Sequence, residues 1–168
     1  MKKVILTTII ALVTVVGAYA QETESVAVTA TVQDALTLTP TAVAFGAIQA
    51  NQASNIKANS NDGTTETNLG NGASAGALQI VGTTGADVTV SWANGTLTDN
   101  DGNNPTTFTP VVYNGAASVT SGNDVTLTGG DISLDVGGNL AAITNPGTYS
   151  TANTGGTAVV FTVQYASL

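Results

Sequence analysis

Asp99, Asp101 and Asn103 alternate along a short polar stretch, and this spacing is the strongest candidate for metal chemistry in the chain. Hard oxygen ligands at alternating positions suit Ca²⁺. An EF-hand loop, however, places its glycine after the third ligand and a glutamate at the twelfth position. Here Gly102 comes before the third ligand, and Pro110 occupies the twelfth position. We expect a solvated hairpin loop, with a calcium site as the alternative.

Asp131 and Asp135 flank the run Ile132-Ser133-Leu134 and form a pair of carboxylates that could in principle act in catalysis. Paired carboxylates hydrolyse glycosides when one of them stays protonated in a cleft. In a strand whose apolar residues point one way, both acids share the opposite, solvent-facing side. Carboxylates in such places keep a sheet soluble and discourage pairing between edges. We therefore predict no enzyme activity.

The composition excludes most other site chemistries. The 168 residues include no His and no Cys, with Lys+Arg 3 against Asp+Glu 11 and a net charge of −8. Imidazole bases and metal ligands, thiol nucleophiles, zinc knuckles and disulfides are thereby excluded. Nucleic-acid binding is disfavoured because phosphate contacts need clustered Lys and Arg. We expect no cofactor and no nucleic-acid partner.

Two further surfaces support alternative binding functions. Trp92 and Tyr113 are the only plausible aromatic platform for a carbohydrate, since such a module gathers aromatic rings on one exposed face. Thr-x-Thr pairs could order water against ice or belong to a matrix protein, although threonine is also common on exposed strands. These pairs are Thr29–Thr31, Thr37–Thr39 and Thr126–Thr128.

The first twenty residues have the pattern of a secretory signal peptide. Lys2 and Lys3 precede an apolar run from Val4 to Val16, and Ala18-Tyr19-Ala20 supplies a cleavage site of small residues. The run is shorter than the roughly 20 residues of a bilayer span. We predict cleavage after Ala20, export, and no membrane span in residues 21–168. Export without cysteine also excludes a disulfide-stapled fold.

Residues 21–168 predict one all-β domain. Apolar residues alternate with a period of two, and no stretch of eleven residues keeps a helical apolar face. Gly and Asn-Gly turns recur every 8–12 residues, as in sandwiches and barrels. We interpret Asn51 to Ser74 as a long surface loop with a weak edge strand near Ile56-Lys57-Ala58. The predicted strands are Val26–Leu38, Val43–Gly46, Ala77–Val81, Val88–Trp92, Phe108–Tyr113, Val125–Leu127, Ile132–Val136 and Val159–Tyr165. The predicted core is Phe45, Leu78, Ile80, Trp92, Phe108, Leu134, Phe161 and Val163.

Both ends of this domain resemble a known family. The segment from Val26 to Leu38 is similar to the N-terminal strand of the cysteine-free fimbrial major subunits of Gram-negative bacteria. Pro146-Gly147-Thr148-Tyr149-Ser150, followed by the run from Val159 to Tyr165, resembles the closing strands of pilin-type subunits. Leu78–Gly82 and Val136–Leu140 are similar to uncharacterised secreted bacterial domains with the same terminal pattern.

The resemblance implies an immunoglobulin-like antiparallel sandwich at the bacterial cell surface or in the periplasm. Relatives complete an open sandwich with a strand from a neighbouring subunit, so the partners would be copies of this chain or related subunits. The expected donor is Glu24 to Gln33, with Val26, Val28, Ala30 and Val32 filling the groove of the neighbour. The alternative is that this strand pairs within its own domain. The function implied is structural or adhesive; a carbohydrate- or calcium-binding module and an ice-binding or matrix protein are the other hypotheses.

Overall fold

Antiparallel strands build residues 30–166, the part of the chain that the computed structural model describes, and no helix occurs there. Residues 32–166 lie in one compact unit. The predicted all-β antiparallel sandwich is confirmed. The strands are β1 (Thr37–Thr41), β2 (Ser54–Ile56), β3 (Gly76–Val81), β4 (Asp87–Trp92), β5 (Gly95–Leu97), β6 (Thr106–Asn114), β7 (Ala117–Val119), β8 (Asn123–Thr126), β9 (Asp131–Leu140) and β10 (Phe161–Tyr165).

Two sheets share these strands. The larger one has the order β1-β3-β9-β6-β5, with β2 also paired to β9 and β7 also paired to β6. The smaller one has the order β10-β4-β8. Because β7 belongs to the larger sheet and β8 to the smaller one, the turn between them carries the chain across this side of the sandwich. We call this side the closed flank, and the side formed by β1 and β10 the open flank.

The longest strand, β9, organises the larger sheet. One of its sides pairs with β3 along Asp131–Val136 and with β2 along Gly138–Leu140, while its other side pairs with β6. Gly137 and Gly138 mark the change from β3 to β2. A Cβ on Gly137 would collide with the backbone at Ala58, and one on Gly138 with the carbonyl oxygen of Thr109. Glycine therefore allows three strands to meet at this point.

The main core lies between the two sheets. Inward residues of β3, β6 and β9 meet those of β4 and β8, and each buried large side chain contributes roughly 1.5–3 kcal/mol to folding. A smaller cluster forms around Phe108, Leu140 and Ile143. The buried members of the main cluster are Leu78, Ile80, Val88, Val90, Val112, Val119, Val125, Leu127, Leu134 and Val136.

Half of the predicted core is only partly buried. Leu78, Ile80, Phe108 and Leu134 are buried as expected. The other four predicted residues pack against the two clusters but stay half-buried, and these are Phe45, Trp92, Phe161 and Val163. Phe161 and Val163 belong to β10, an edge strand whose outer side pairs with no other strand of the described part of the chain. This position explains their incomplete burial.

The interpretation of Asn51–Ser74 as a surface loop is wrong for its first part. All three residues of β2 are buried, and β2 lies two residues earlier than the predicted weak strand. Asn55 exchanges both backbone hydrogen bonds with Thr67, so β2 has a partner on each side. Polar residues fill this site because their hydrogen bonds are satisfied: Asn68 donates to the Ser54 hydroxyl at 2.9 Å.

Asp62 organises the turn after β2. It is 2% exposed, and its carboxylate accepts the backbone N–H groups of Ala58 at 3.1 Å and Thr64 at 3.0 Å. Burial acts to raise the pKa of Asp62, but these hydrogen bonds, the Thr64 hydroxyl and the charge of Lys57 together hold the pKa below its ordinary value. The carboxylate therefore stays charged where it anchors the turn.

The predicted strand at Val26–Leu38 is wrong over residues 30–36 and is confirmed only at Thr37 and Leu38. Residues 30–36 have no strand pairing, and β1 begins only at Thr37 and continues through Pro40. An edge strand can include proline, because the missing N–H is lost only on its free side. The predicted strand at Val43–Gly46 is reduced to a single bridge between Ala44 and Ser74.

Candidate functional site

Within residues 30–166, no strand pairs with the outer edge of β10, which lies on the open flank. The N–H of Ala166 donates to the Asp87 carbonyl at 2.9 Å and continues the ladder between β10 and β4. Since bonded residues alternate in an antiparallel pair, Thr162 and Gln164 also bond to β4. The N–H and C=O groups of Phe161, Val163 and Tyr165 therefore point away from the sheet. This edge can accept another strand.

An apolar groove lies beside this edge. Its volume is about 490 Å³, and it lies between residues of the larger sheet and the beginning of β10. The rings of Phe45 and Phe108 meet edge to face there, with their centroids 5.8 Å apart. Val159 and Phe161 line the opposite side of the groove. Such a groove suits the alternate apolar side chains of an added strand.

The edge of β1, on the same flank, is blocked. The N–H of Gly82 donates to the Gly130 carbonyl at 2.8 Å, which places Leu78 and Ile80 in the ladder with β9. By alternation, Leu38 and Pro40 then face the free side of β1. Pro40 has no N–H to offer an incoming strand, and proline of this kind protects edges.

The edge of β8, on the closed flank, is charged. The N–H of Leu127 donates to Ala86 at 2.9 Å, so the backbone of Asp124 and Thr126 faces the free side. The carboxylate of Asp124 accepts a hydrogen bond from the Thr89 hydroxyl at 2.6 Å, and that of Asp87 accepts one from Thr126 at 2.5 Å. Two fixed carboxylates beside this edge oppose the approach of another strand.

A hydrogen-bonded cluster holds Asp34 at the end of β10. The Tyr165 hydroxyl donates to the Asp34 carbonyl at 2.6 Å and accepts the N–H of Thr83 at 2.9 Å. The N–H of Asp34 donates to the Thr83 hydroxyl oxygen at 2.6 Å. Both backbone groups of Asp34 are thereby fixed. Gly82 makes room for the cluster, because a Cβ there would lie 2.6 Å from the Tyr165 hydroxyl.

The predicted interaction strand lies mostly outside the structure. Val26 and Val28 are outside the described residues. Ala30 is exposed, and Val32 is 89% exposed. Val32 therefore does not fill the groove of its own domain.

The predicted calcium loop is held together by Asp99. One of its carboxylate oxygens accepts the N–H groups of Asp101 at 3.1 Å and Asn103 at 2.7 Å, and the other accepts the side-chain amide of Asn104 at 2.7 Å. The Asn104 side chain, followed by the Asn103 amide, lowers the pKa of Asp99. Asp101 and Asn103 are exposed. Within residues 30–166, no three His, Cys, Asp or Glu side chains gather closely enough to hold a metal ion. The calcium site stays a prediction.

Trp92 and Tyr113 lie in different sheets. Trp92 is in β4, and its ring packs on Phe161 with centroids 5.6 Å apart. Tyr113 is in β6 of the larger sheet, opposite Asp135 of β9. The ring of Trp92 is therefore partly occupied by packing beside the core, and the carbohydrate platform stays a prediction.

The two strand aspartates differ in their surroundings. Asp131 is exposed, as expected. Asp135 is half-buried instead of fully solvent-facing, because the Asn59 side chain donates to its carboxylate at 2.7 Å. The same amide group donates to the Gly115 carbonyl at 2.8 Å. Asp135 thus helps to anchor the segment after β2 over the turn between β6 and β7.

The threonines of the three Thr-x-Thr pairs lie in separate regions of the chain. Thr29 lies outside the described residues, and Thr31 belongs to no strand there. Thr37 and Thr39 share the outer side of β1, while Thr126 lies in β8 and Thr128 follows it. An ice-binding surface stays a prediction.

Sequence reasoning missed the cluster around Asp34 and the outer edge of β10, which pairs with no strand of residues 30–166. The alternation from Val159 to Tyr165 predicts which side chains face inward, but it contains no signal for the neighbouring strand on each side. The run Gly82-Thr83 shows only a turn. Residues 30–166 contain no helix of the length and apolarity that a bilayer span requires. Comparisons with protein-family models, curated proteins and solved structures find no match to this chain, and the fimbrial resemblance stays a prediction.

Proposed function

We propose that this protein is an exported, non-enzymatic structural or adhesive subunit of the bacterial cell surface that joins other copies of itself by β-strand addition. Residues 24–33 of one copy add to the free edge of β10 in the next. Val26, Val28, Ala30 and Val32 fill the apolar groove of that neighbour, and backbone hydrogen bonds supply affinity.

The observation that carries this proposal is the contrast among sheet edges. β10 offers three residues with outward backbone groups and no charged side chain among Phe161–Tyr165. Pro40 offers no N–H to a strand that would pair with β1. The carboxylates of Asp124 and Asp87 oppose the pairing of another strand with β8. Proteins that stay monomeric usually protect such edges, so an unprotected one beside an apolar groove supports a partner strand.

The donor segment fits the groove in length and pattern. A strand advances about 3.3 Å per residue, so residues 24–33 extend further than the five residues of β10. Their apolar side chains occur at every second position, as a strand filling one groove requires. The exposure of Val32 supports donation to another copy over pairing within the same domain.

The first experiment compares residues 21–168 with a variant that begins at Asp34. Sedimentation velocity across a wide concentration range should show assembly of the longer protein and only monomers of the shorter one. A longer protein that stays monomeric at every concentration would contradict the proposal.

Matched substitutions locate the contact. Val28→Asp puts a charge on the groove-filling side of the donor, while Thr29→Asp puts the same charge on its opposite side. Val159→Asp charges the groove, while Val160→Asp charges a side chain that is already 65% exposed. We expect Val28→Asp and Val159→Asp to prevent assembly and the two controls to retain it. Circular dichroism checks that each variant folds, and equal effects within each pair would reject the proposed contact.

A further inference from the structure

Asparagine followed by glycine occurs at three places in the chain, Asn71, Asn94 and Asn114. This dipeptide is chemically labile, because the backbone nitrogen of the second residue can attack the side-chain carbonyl carbon of the first, and glycine has no Cβ to hinder the approach. The attack requires that the nitrogen is not held in a hydrogen bond and that the backbone can move. The fold gives the three dipeptides different surroundings, so they can be compared within one molecule.

The dipeptide at Asn94 is protected by a strand ladder. Gly95 is buried, begins β5 and pairs with Phe108 of β6. Thr96 exchanges both backbone hydrogen bonds with Thr157 on the other side of β5. Since bonded residues alternate along a strand, the N–H of Gly95 donates to Phe108. The nitrogen of Gly95 is therefore not available for attack while the ladder is intact.

The dipeptide at Asn114 is exposed but restrained. It forms the tip of the hairpin between β6 and β7, where Asn114 pairs with Ala117. The Gly115 carbonyl accepts the side-chain amide of Asn59 at 2.8 Å and that of Asn61 at 3.3 Å. Gly115 is thus held from both sides, and its nitrogen can approach the Asn114 side chain only after some of these bonds break.

The dipeptide at Asn71 is open to solvent. Asn71 and Gly72 form the exposed corner of a turn that is closed by one hydrogen bond, from the N–H of Ala73 to the Gly70 carbonyl at 3.1 Å. Among residues 30–166, the N–H of Gly72 donates to no backbone carbonyl. Apart from its chain neighbours, no atom lies within 4 Å of the position that a Cβ of Gly72 would take.

We propose that Asn71 is a site of spontaneous deamidation and that the fold protects Asn94 and Asn114 from the same reaction. The Gly72 nitrogen loses its proton to hydroxide and forms a bond to the side-chain carbonyl carbon of Asn71. The amide nitrogen leaves as ammonia after taking a proton from water, which restores the hydroxide. A water molecule then opens the cyclic imide at either carbonyl and gives aspartate or isoaspartate. The reaction consumes only water, and it does not depend on the proposed function.

The isoaspartate product disturbs the wall of the apolar groove. In isoaspartate the main chain runs through the former side-chain carbonyl, so the backbone of the turn gains one atom. The turn is tied to the segment that carries Phe45, because the N–H of Gly70 donates to the Phe45 carbonyl at 2.9 Å and Ser74 pairs with Ala44. A Cβ on Gly46 would collide with the backbone of this turn, so there is no room for a longer one. The attachment of Phe45 therefore loosens.

The experiment measures each rate in the folded and in the unfolded chain. Residues 21–168 are incubated at mildly alkaline pH with and without guanidinium chloride, and peptide mapping by mass spectrometry follows each asparagine. In the folded protein, Asn71 should react within about threefold of its unfolded rate, because exposed turns open at little cost. Asn94 should slow by at least about a hundredfold, since the ladder must open first. Asn114 should slow by about tenfold, the effect of its hydrogen bonds.

Two variants separate the reaction from its consequence. Asn71→Gln forms the cyclic imide far more slowly, so it should abolish conversion at this position and leave Asn94 and Asn114 unchanged. Asn71→Asp carries the new charge without the additional backbone atom. Hydrogen exchange of the Gly70 and Ser74 amides should therefore be faster in the isoaspartate form than in Asn71→Asp.

The measured rates decide both parts of the inference. Equal folded rates at all three positions, or a folded rate at Asn71 as slow as that at Asn94, would overturn the assignment of the site. Equal amide exchange in the isoaspartate form and in Asn71→Asp would overturn the loosening of the Phe45 segment. Failure of residues 21–168 to assemble would contradict only the proposed function.

Discussion

The two flanks of the sandwich treat their sheet edges in opposite ways. On the closed flank, the chain crosses from β7 to β8, Val119 and Val125 are buried, and two carboxylates stand beside the edge. A polar groove of about 320 Å³ lies there. On the open flank, the inward residues of β10 stay half-buried and the groove is larger and apolar. In the smaller sheet, the β8 edge is thus protected against pairing, whereas the β10 edge still offers apolar area to a partner.

The segment after β2 is anchored over the turn between β6 and β7, and it offers the largest expected effect. Asp62→Ala leaves the buried amide of Ala58 and the part-buried amide of Thr64 without their acceptor, and it should lower the free energy of unfolding by about 2–4 kcal/mol. Urea denaturation at neutral pH measures this loss. Asp101→Ala, at an exposed position, should change stability by less than about 0.5 kcal/mol. Equal effects would show that Asp62 does not anchor the segment.

A low pH should weaken the hydrogen bonds by which the Asp62 carboxylate holds the turn after β2. The pKa of Asp62 lies below its unfolded value, so its contribution is complete above the unfolded pKa, near 3.8, and is lost as the pH falls through the folded pKa. Denaturation midpoints followed from neutral pH downward should therefore fall less steeply in Asp62→Asn than in the parent. Parallel curves for the two proteins would assign acid sensitivity to other groups.

A pair of valines compares the two edges directly. Val125 of β8 is 8% exposed, whereas Val163 of β10 is half-buried. Val125→Ala should destabilise the monomer by about 2 kcal/mol and Val163→Ala by about 1 kcal/mol, because less apolar area is lost at the open edge. Thermal unfolding of monomers measures both. In the assembled form the two losses should become similar, since an added strand would cover Val163; an unchanged gap would count against strand addition there.

The smallest effects on stability should come from exchanging the charges of the two edges. Gln164→Asp gives β10 the kind of charge that β8 carries, and Asp124→Asn removes that charge from β8. Each should alter the unfolding free energy by less than about 0.5 kcal/mol. Gln164→Asp should nevertheless slow assembly, and Asp124→Asn should allow new pairing at β8. Sedimentation at low and high salt checks both, and identical behaviour of the two variants would remove charge as the distinguishing feature.

Alternating side chains predict the strands that bury one side, and β3, β4, β6, β9 and β10 are found close to their predicted positions. The same signal places β2 two residues too late and as a weak edge strand, because Ser54 and Asn55 are buried through hydrogen bonds that a hydrophobic pattern does not record. It also predicts a strand over residues 30–36, where alternation is present but no neighbouring strand is paired. Periodicity indicates the sides of a strand, whereas pairing depends on distant segments.

The candidate site shows the same difference between local periodicity and contacts made by distant segments. The apolar set from Val26 to Val32 and the inward residues of β10 are visible in the sequence, because both have a period of two. The hydrogen-bonded cluster around Asp34 is not visible, since Asp34, Thr83 and Tyr165 are far apart along the chain and each is an ordinary residue in its local setting. Their roles arise only from the fold that brings a turn, a strand end and an irregular segment together.

The hydrogen bond between Asp34 and Tyr165 places the entry and the exit of the sandwich side by side. A short linker from Ala166 back to residue 34 would therefore close the domain into a ring with little strain, and the ring could be reopened at the exposed tip where Gly115 turns the chain between β6 and β7. Such a circularly permuted protein would keep every strand of the two sheets while moving its termini to the opposite flank.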